Sequence, residues 1–172
     1  MGFNLQPTHL TGKIIQLVPL EEVHFENLYL VASDPLIWEQ HPNKNRYQKA
    51  VFRNYFQGAL LSKGAFIIID IKTNAIVGSS RFYEFDENNN SIKIGYTFIG
   101  RNFWGKNYNI ELKQLMINYA FENLTTIIFE IGANNIRSQK AIDKIGAEKI
   151  GENEVQYFGE EFKLNFIYQL NK

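Results

Sequence analysis

The sequence has no cysteine among its 172 residues and only four prolines. A chain without cysteine cannot form disulfides, use a catalytic thiolate or hold a cysteine-ligated zinc ion. Its 18 basic and 18 acidic side chains cancel, so neither a basic excess for nucleic acid nor an acidic tail is present. No apolar run approaches the length of a membrane span, and the opening MGFNLQPTHL lacks a signal-peptide pattern. We therefore expect a cytoplasmic protein without nucleic-acid or membrane partners.

Apolar residues make up 45% of the chain and aromatic residues 15%, with 14 Phe and nine Tyr. A chain of this length and composition can bury a substantial core. No internal repeat, low-complexity segment or linker interrupts the sequence. We expect one globular domain over residues 1–172.

The periodicity of the apolar residues predicts the order strand, two helices, three strands, helix, strand, helix and two strands. The three consecutive strands form an antiparallel meander, so the fold class is α+β. The predicted segments are strand 13–18, helices 20–33 and 47–62, strands 65–71, 75–85 and 92–99, a helix ending near 121, strand 126–131, helix 138–145, and strands near 149 and over 162–170, with a turn at 35–38 and a loop at 41–47.

The stretch from Ile94 to Phe121 predicts an apolar strand, a short loop and an amphipathic helix. Asn107 and Asn109 are both candidate N-caps of that helix. Such a junction directs unpaired backbone N–H groups and the positive end of the helix dipole at one point. It therefore predicts an anion site, most naturally for phosphate.

The same loop nearly fits the nucleotide-binding pattern G-x-x-x-x-G-K-[ST], from Gly100 to Lys106. Two features count against a magnesium-nucleotide site. Asn107 stands where a Ser or Thr hydroxyl would hold magnesium, and the preceding strand belongs to an antiparallel meander.

Other site types have little support in the sequence. His9, His24 and His41 are widely spaced and lack metal-ligand partners, so no metal site is predicted. No Ser lies in a G-x-S-x-G motif. Glu84 and Asp86 end the central meander; solvation explains both, and a catalytic role for Glu84 stays open.

Two motifs carry a resemblance over nearly the whole chain. Trp104-Gly-Lys-Asn-Tyr-Asn109 stands at the head of the central helix, and Asn135-Ile-Arg-Ser138 precedes a helix that ends in K-I-G-A. With the opening from Leu10 to Leu20, they resemble the GNAT acetyltransferase superfamily, and within it the RimJ/RimL-like ribosomal-protein N-terminal acetyltransferases. The resemblance implies a single mixed, mostly antiparallel sheet flanked by helices, with a splayed cofactor cleft.

In that family acetyl-CoA is the co-substrate, and no metal is needed. The resemblance implies that residues 104–110 hold the pyrophosphate through backbone N–H groups. Residues 97–99 and Asn135 would bond the pantetheine arm, and Ser138 would protonate the leaving thiolate. The cofactor residues implied are Thr97, Phe98, Ile99, Trp104, Gly105, Lys106, Asn107, Tyr108, Asn109, Ile110, Asn135, Arg137, Ser138 and Lys140.

The sequence departs from the family pattern inside the site. Asn107 and Asn109 replace the small residues of the pyrophosphate loop. Asn tolerates a left-handed backbone, so Asn107 can replace Gly, whereas Asn109 either donates to the phosphate or crowds it. Lys93 stands where many relatives have a Glu that is a candidate base, which leaves Glu84 or bulk water to take the proton. Ser138 is also expected to be the N-cap of its helix.

The resulting hypothesis is an N-acetyltransferase that transfers acetyl directly to a primary amine, either a protein N-terminus or a small molecule. The alternative is a non-catalytic acyl-CoA-binding module of the same fold. Trp38, Phe52 and Tyr55 either cover the acceptor pocket or pack in the core, and Arg81 is expected to be exposed. A homodimer is consistent with the family.

Overall fold

The computed structural model describes residues 2–172, which form seven strands and four helices joined by short 3₁₀ turns. Their order is the order that the sequence predicts. The elements are β1 (Ile15–Pro19), α1 (Phe25–Ala32), α2 (Lys49–Ser62), β2 (Ala65–Asp70), β3 (Ile76–Asp86), β4 (Ser91–Ile99), α3 (Tyr108–Asn123), β5 (Thr126–Gly132), α4 (Ile136–Asp143), β6 (Glu148–Gln156) and β7 (Phe162–Asn171).

The strands form one sheet in the order β1-β2-β3-β4-β5-β7-β6. Every neighbouring pair is antiparallel except β4 and β5, which are parallel. The connection between these two strands is helix α3, as a parallel crossover requires. The fold is therefore α+β, as the sequence pattern predicts, with the mixed, mostly antiparallel sheet that the family resemblance implies.

Strands β4 and β5 are paired only at their first residues. The register runs from Ser91 opposite Thr126 to Lys93 opposite Ile128 and then stops. Beyond this point the two strands diverge, although β4 continues to Ile99. The edge of β4 that faces β5 is therefore open from Ile94 to Ile99, about two thirds of the strand.

A β-bulge in β4 lies at the start of this open stretch. Gly95 pairs with Arg81 and Phe98 with Ser79, so three steps along β4 match two along β3. Tyr96 holds the bulge with a φ of 53°, a left-handed conformation that is rare for a bulky residue.

The bulge changes the face of the sheet on which the later side chains of β4 lie. Ile94 and Ile99 pack in the core under α3, and Thr97 contacts α3. Phe98 packs in a second hydrophobic core, which lies under α1 and α2, and Tyr96 packs against this core. Without the extra residue, strict alternation would put Ile94 and Phe98 on one face.

Helix α3 is attached to the edge strand β1 by one carboxylate. Glu111 in the first turn of α3 accepts hydrogen bonds from the backbone N–H groups of Lys13, Ile14 and Ile15, at 2.8, 2.8 and 2.9 Å. These groups lie before or at the start of β1, where no neighbouring strand satisfies them all. The position of Glu111 near the helix N-terminus also suits its negative charge.

We expect Glu111→Ala to lower the free energy of unfolding by about 2–4 kcal/mol, because three backbone donors lose a charged acceptor. Urea unfolding measures the change. Glu122→Ala is the matched control, since Glu122 is an exposed carboxylate on the same helix and should change stability by less than about 0.5 kcal/mol. Equal midpoints for the two variants would contradict the role of Glu111.

Two predictions about the helices are wrong. Helix α4 begins at Ile136, not at Ser138, and Asn135 is its N-cap: the Asn135 Oδ1 atom accepts from the Ser138 N–H at 3.2 Å. Because the Asn135 side chain accepts a hydrogen bond from the Ser138 backbone N–H, the helix starts before Ser138, which lies inside the first turn. The segment before α1 also starts differently, as a 3₁₀ turn over Glu22–His24 before Phe25 begins the α-helix.

Arg81 is buried, at 4% exposure, which contradicts its predicted exposure. Its guanidinium carbon lies 3.8 Å from the centre of the Tyr96 ring. The same group donates to the Gly58 and Tyr55 carbonyl oxygens at 3.2 and 3.4 Å. The stacked ring and two carbonyl acceptors offset the desolvation of this cation.

Within residues 2–172, no helix is long and apolar enough to cross a bilayer.

Candidate active site

A cleft of about 410 Å³ opens where β4 and β5 diverge. Its walls come from the open stretch of β4, the end of β5, the first turns of α3 and α4, and the segment between α1 and α2. A cavity of this size at a break in a sheet is a normal place for a small-molecule site. The predicted residues that line it are Thr97, Phe98, Ile99, Trp104, Gly105, Asn107, Tyr108, Asn109, Ile110, Asn135, Arg137 and Ser138.

Three predicted residues do not line the cleft. Lys106 and Lys140 are exposed beside it. Glu84 lies on a left-handed turn of β3, with a φ of 48° and a side chain that is 65% exposed. Any contact that these three make with a bound molecule would therefore be at the rim.

The N-terminus of α3 forms one end of the cleft. Asn107 has a φ of 68° and a ψ of 0°, so it does adopt the left-handed conformation expected of a Gly substitute. Its side chain does not cap the helix, and Gly105 also has a positive φ of 72°. The N–H of Glu111 bonds the Asn107 carbonyl at 3.0 Å; the N–H groups before it in the first turn have no helical acceptor. They remain available to an anion.

Two side chains fix this loop against the sheet. The Tyr108 hydroxyl donates to Asp70 Oδ2 at 2.5 Å, which anchors the start of α3 to the end of β2. The Trp104 Nε1–H donates to the Ile99 carbonyl at 2.8 Å. The loop geometry is thus set by contacts on both sides of Gly105.

The start of α4 forms the facing wall. Asn135 is 8% exposed, and its Oδ1 atom is occupied by the Ser138 N–H. Within residues 2–172, its Nδ2 group has no hydrogen-bond partner, so that donor is available to a molecule in the cleft. Arg137 spans the mouth: its guanidinium lies 4.1 Å from the Trp104 ring centre and donates to the Ile37 carbonyl at 3.0 Å.

A carboxylate that the sequence analysis did not select lies at the other end of the cleft. Glu130 of β5 is 6% exposed in its side chain. Its Oε1 atom accepts from Lys93 Nζ at 2.6 Å and its Oε2 atom from the Tyr83 hydroxyl at 3.1 Å. Lys93 also pairs with Glu84 at 2.5 Å. Two carboxylates around one ammonium leave this group of three with one formal negative charge, and the nearby Arg81 guanidinium, stacked on Tyr96, is a cation of the same region.

The pKa values of these groups follow from their surroundings. Burial lowers the pKa of Lys93, but its hydrogen bonds to Glu130 and Glu84 outweigh burial, and the net pKa is raised. Burial, reinforced by the nearby Glu130 charge, raises the pKa of Tyr83 well above its ordinary value. Lys93 is therefore charged and Tyr83 neutral at pH 7.

Aromatic side chains enclose the same end of the cleft, and we call this region the aromatic chamber: Trp38, His41, Tyr83, Tyr96 and Tyr157. Of the three residues expected either to cover the pocket or to pack in the core, only Trp38 lines the cleft. Phe52 and Tyr55 belong to the core under α1 and α2.

A buried ion pair supports the chamber from behind. Arg46 is 1% exposed, and its guanidinium contacts Glu160 at 2.8 and 3.2 Å. Its guanidinium carbon lies 5.0–5.6 Å from the ring centres of Trp38, Tyr55 and Tyr157. This pair joins the segment before α2 to the loop between β6 and β7.

His41 is held neutral in the chamber. The Asn43 backbone N–H donates to its Nδ1 atom at 3.0 Å, and Arg46 Nη1 lies 3.2 Å from Nε2. Burial, with the Arg46 charge as a second cause, lowers the pKa of His41 well below its usual value. In the imidazolium form, the N–H group at each ring nitrogen would face a hydrogen-bond donor, the Asn43 N–H or the Arg46 guanidinium. The imidazole therefore does not become a cation at neutral pH.

Sequence reasoning missed Glu130 and Lys113, which both line the cleft. One signal for each was present: Glu130 is the only charge in the apolar strand TIIFEI, and Lys113 lies among apolar positions of an amphipathic helix. A charged residue at a position that periodicity assigns to the interior is often functional or paired. Nothing in the local sequence shows that the two meet at one cleft.

A known domain family matches most of this chain. Residues 15–148 match the model of the acetyltransferase (GNAT) domain. The chain belongs to the GNAT family. The family uses acetyl-CoA, which agrees with a cleft between splayed strands that has free N–H groups at one end.

Relatives of this GNAT chain agree in fold and differ in sequence. The uncharacterized N-acetyltransferase p20 of Bacillus licheniformis is 34% identical over 88 residues, so the match spans about half of this chain (50%) and of that curated relative (49%). A GCN5-related N-acetyltransferase from Brucella melitensis superposes with a TM-score of 0.79 at 19% identity, over 94% of this chain and 77% of that one. Mycobacterium smegmatis RimJ, solved with CoA-disulfide, superposes with a TM-score of 0.70 at 13% identity, over 91% of this chain and 81% of that one.

The residues of the cleft fit the cofactor of this GNAT family. A Cβ atom built at Gly105 would meet nothing within 4 Å, so the space beside the loop before α3 is open. The left-handed Asn107 keeps the loop in the shape that a glycine would allow. Among residues 2–172, no three His, Asp or Glu side chains are grouped as a metal site would require.

Proposed function

We propose that the protein is an acetyl-CoA-dependent N-acetyltransferase of the RimJ/RimL-like type, which transfers acetyl directly to a primary amine. One observation carries the proposal: the cleft between β4 and β5 joins the free N–H groups of α3 to a chamber with a buried carboxylate. The first end suits a pyrophosphate and the second an amine. A thioester held between them needs no covalent enzyme intermediate, because a neutral amine attacks it directly.

The cofactor would be bound by residues on three sides of the cleft. The N–H groups of the 104–110 loop would hold the pyrophosphate, with Lys106 and Lys140 at its rim. The open edge of β4 at residues 97–99 and the free Nδ2 group of Asn135 would bond the pantetheine arm. Asn109 lies on the cleft wall, and we propose that its amide donates to a phosphate.

The acceptor amine would enter the aromatic chamber. The Glu130 carboxylate would accept a hydrogen bond from the amine, and aromatic ring faces favour a cation. We propose that Glu130 positions the amine and takes its proton, directly or through water. Glu84 would act through Lys93, since its own carboxylate is exposed and outside the cleft lining.

Ser138 is proposed to protonate the leaving thiolate. It lines the cleft beside Asn135, and its backbone N–H, not its hydroxyl, is used in capping α4. Ser138→Ala is expected to lower kcat about tenfold or more with little change in acetyl-CoA affinity. Steady-state kinetics with calorimetric binding measures both quantities; unchanged kcat would remove Ser138 from the mechanism.

The acceptor class rests on likeness to relatives. Mycobacterium smegmatis RimJ shares the fold over 91% of this chain. We therefore propose a peptide N-terminus as the first acceptor to test, and small-molecule amines as the second.

A ligand titration tests the function. The thermal unfolding midpoint is followed with acetyl-CoA, CoA, and ATP with magnesium, and CoA release is then measured with peptide and small-molecule amines. A ligand at about a hundred times its Kd adds about 2.7 kcal/mol of stability, which is a shift of several degrees. We expect a shift with acetyl-CoA and CoA only. Binding without CoA release for any amine would favour the non-catalytic module, and no shift with acetyl-CoA would overturn the proposal.

Substitution of Asn135 separates capping from cofactor binding. Asn135→Ala removes both the N-cap oxygen and the Nδ2 donor, so we expect the free energy of unfolding to fall by about 1 kcal/mol and acetyl-CoA binding to weaken by about 1–3 kcal/mol. Asn135→Asp keeps the capping oxygen and loses only the donor. It should retain stability and still bind acetyl-CoA weakly, as unfolding and calorimetry would show. Full affinity in Asn135→Asp would exclude the contact.

A further inference from the structure

A buried lysine lies on the floor of the cleft and has no acidic partner. Lys113, in the second turn of α3, is 8% exposed and lines the cleft. Its Nζ atom donates one hydrogen bond, to the Thr97 hydroxyl at 3.2 Å. Within residues 2–172, no carboxylate pairs with it. An uncompensated amine in this position is costly for stability, and neither the core nor an ion pair explains it.

The position of Lys113 is set by the divergence of the strands. Thr97 is on the open stretch of β4, and the Phe129 ring on β5 has its centre 5.6 Å from Lys113 Nζ. The amine therefore lies between the two strands, where they no longer pair. Glu130 is next to Phe129, so its side chain points to the opposite face of the sheet. Lys113 and the aromatic chamber thus approach the same opening from opposite faces.

The surroundings of Lys113 favour the neutral amine. Burial lowers the pKa of Lys113 to about 8, with no contribution from a neighbouring charge. The groups that face it are the Thr97 hydroxyl and the Phe129 ring, and the Ser80 hydroxyl lies 2.8 Å behind Thr97. With a pKa of about 8, roughly a tenth of the side chains are neutral at pH 7 and roughly nine-tenths at pH 9.

We propose that Lys113 is a site of self-acetylation, in which its Nζ atom takes the acetyl group of acetyl-CoA bound in the same cleft. The proposal rests on the proposed function, because it requires the thioester to lie between β4 and β5. A nucleophile fixed beside a bound electrophile reacts as if it were highly concentrated. The acceptor amine and Lys113 then compete for one acetyl group from the two faces of the sheet.

The step balances without a further reactant. The lone pair of neutral Lys113 Nζ forms a bond to the thioester carbonyl carbon, and the carbon–sulfur bond breaks. The sulfur leaves with the electron pair, and the proton lost by nitrogen passes to it. The products are acetyl-Lys113 and CoA thiol, with no change of oxidation state.

Acetylation would change the cleft itself. It removes the positive charge of Lys113 and adds an acetyl group in the space between Thr97 and Phe129. We expect the modified protein to bind acetyl-CoA more weakly, so the reaction limits itself when no acceptor amine is present.

The test uses the full chain with deuterium-labelled acetyl-CoA, no acceptor, and peptide mapping by mass spectrometry. Lys106 and Lys140 are internal controls, since both are exposed beside the cleft and would be modified first by free reagent. We expect labelling of Lys113 at least about tenfold faster than of either control, and about tenfold faster at pH 9 than at pH 7. Excess CoA should suppress it. The mapping needs no variant that might fail to fold; Lys113→Arg adds a check that the label does not move to another site.

Calorimetry with acetyl-CoA on the same sample separates the two possible failures. Binding together with preferential labelling of Lys113 supports the proposal. Binding with Lys113 unlabelled, or labelled no faster than Lys106 and Lys140, overturns self-acetylation and leaves the proposed function standing. Absence of binding overturns the proposed function and self-acetylation with it. Labelling that persists at the same rate with excess CoA shows chemistry outside the cleft and also overturns the proposal.

Discussion

Glu130→Gln is expected to lower kcat/KM for an amine acceptor by about 10²–10³-fold, because the variant cannot take a proton or balance an ammonium. The substitution keeps the shape of the side chain and leaves an oxygen for the Tyr83 hydroxyl, which donates to Glu130 at 3.1 Å. Acetyl-CoA is proposed to bind with its pyrophosphate at the other end of the cleft, so its affinity should be unchanged.

The matched control is Glu84→Gln. Both carboxylates pair with Lys93, at 2.6 Å for Glu130 and 2.5 Å for Glu84. Glu84 is 65% exposed in its side chain whereas Glu130 is 6% exposed, so the loss of Glu84 should reduce kcat/KM by less than about fivefold. A greater loss in Glu84→Gln than in Glu130→Gln would assign the base to Glu84.

Arg46→Met is expected to lower the free energy of unfolding by about 3–5 kcal/mol, because it leaves a buried carboxylate without its partner. Glu160 is 7% exposed in its side chain, and the Arg46 guanidinium is in contact with it at 2.8 Å. At this chain length the change corresponds to a loss of roughly 10 °C in the unfolding midpoint.

Two further variants separate the ion pair from the aromatic contacts of Arg46. The double variant Arg46→Met with Glu160→Gln removes both charges and should recover most of the lost stability. Arg53→Met is the matched control: Arg53 is exposed and lies over the Phe25 ring at 4.5 Å, a contact of about 0.5–1 kcal/mol. A single variant as stable as the double would mean that Glu160 is already solvated.

Local sequence signals were sufficient for the order of the elements and for the backbone conformation of the loop before α3. Apolar periodicity over Leu112 to Ala120 predicts one buried face of a helix, and residues Tyr108–Asn123 do form α3. The tolerance of Asn for a left-handed backbone predicted the conformation of Asn107. These features depend on neighbours within a few residues, so they can be predicted from the sequence without knowledge of the tertiary structure.

The N-cap of α4 shows the limit of such signals. Asn and Ser are both good capping residues, and the sequence pattern predicts Ser138 as the N-cap. The structure has Asn135 in that position. The choice depends on where β5 ends and how the chain leaves it, which is a property of the sheet and not of the four residues concerned.

The chemistry of the two ends of the cleft was decided by tertiary structure. Glu130 meets Lys93 across 37 positions in the sequence, and Arg46 meets Glu160 across 114. Lys113 reaches Thr97 only because β4 carries a bulge at Tyr96 and separates from β5. A local pattern fixes which face of a strand or helix a residue occupies, but packing of the elements fixes which residues share a cavity. The sequence alone thus determined the fold class and the strand–loop–helix junction before α3, whereas the proposed base, the buried amine and the aromatic chamber exist only once the sheet has formed.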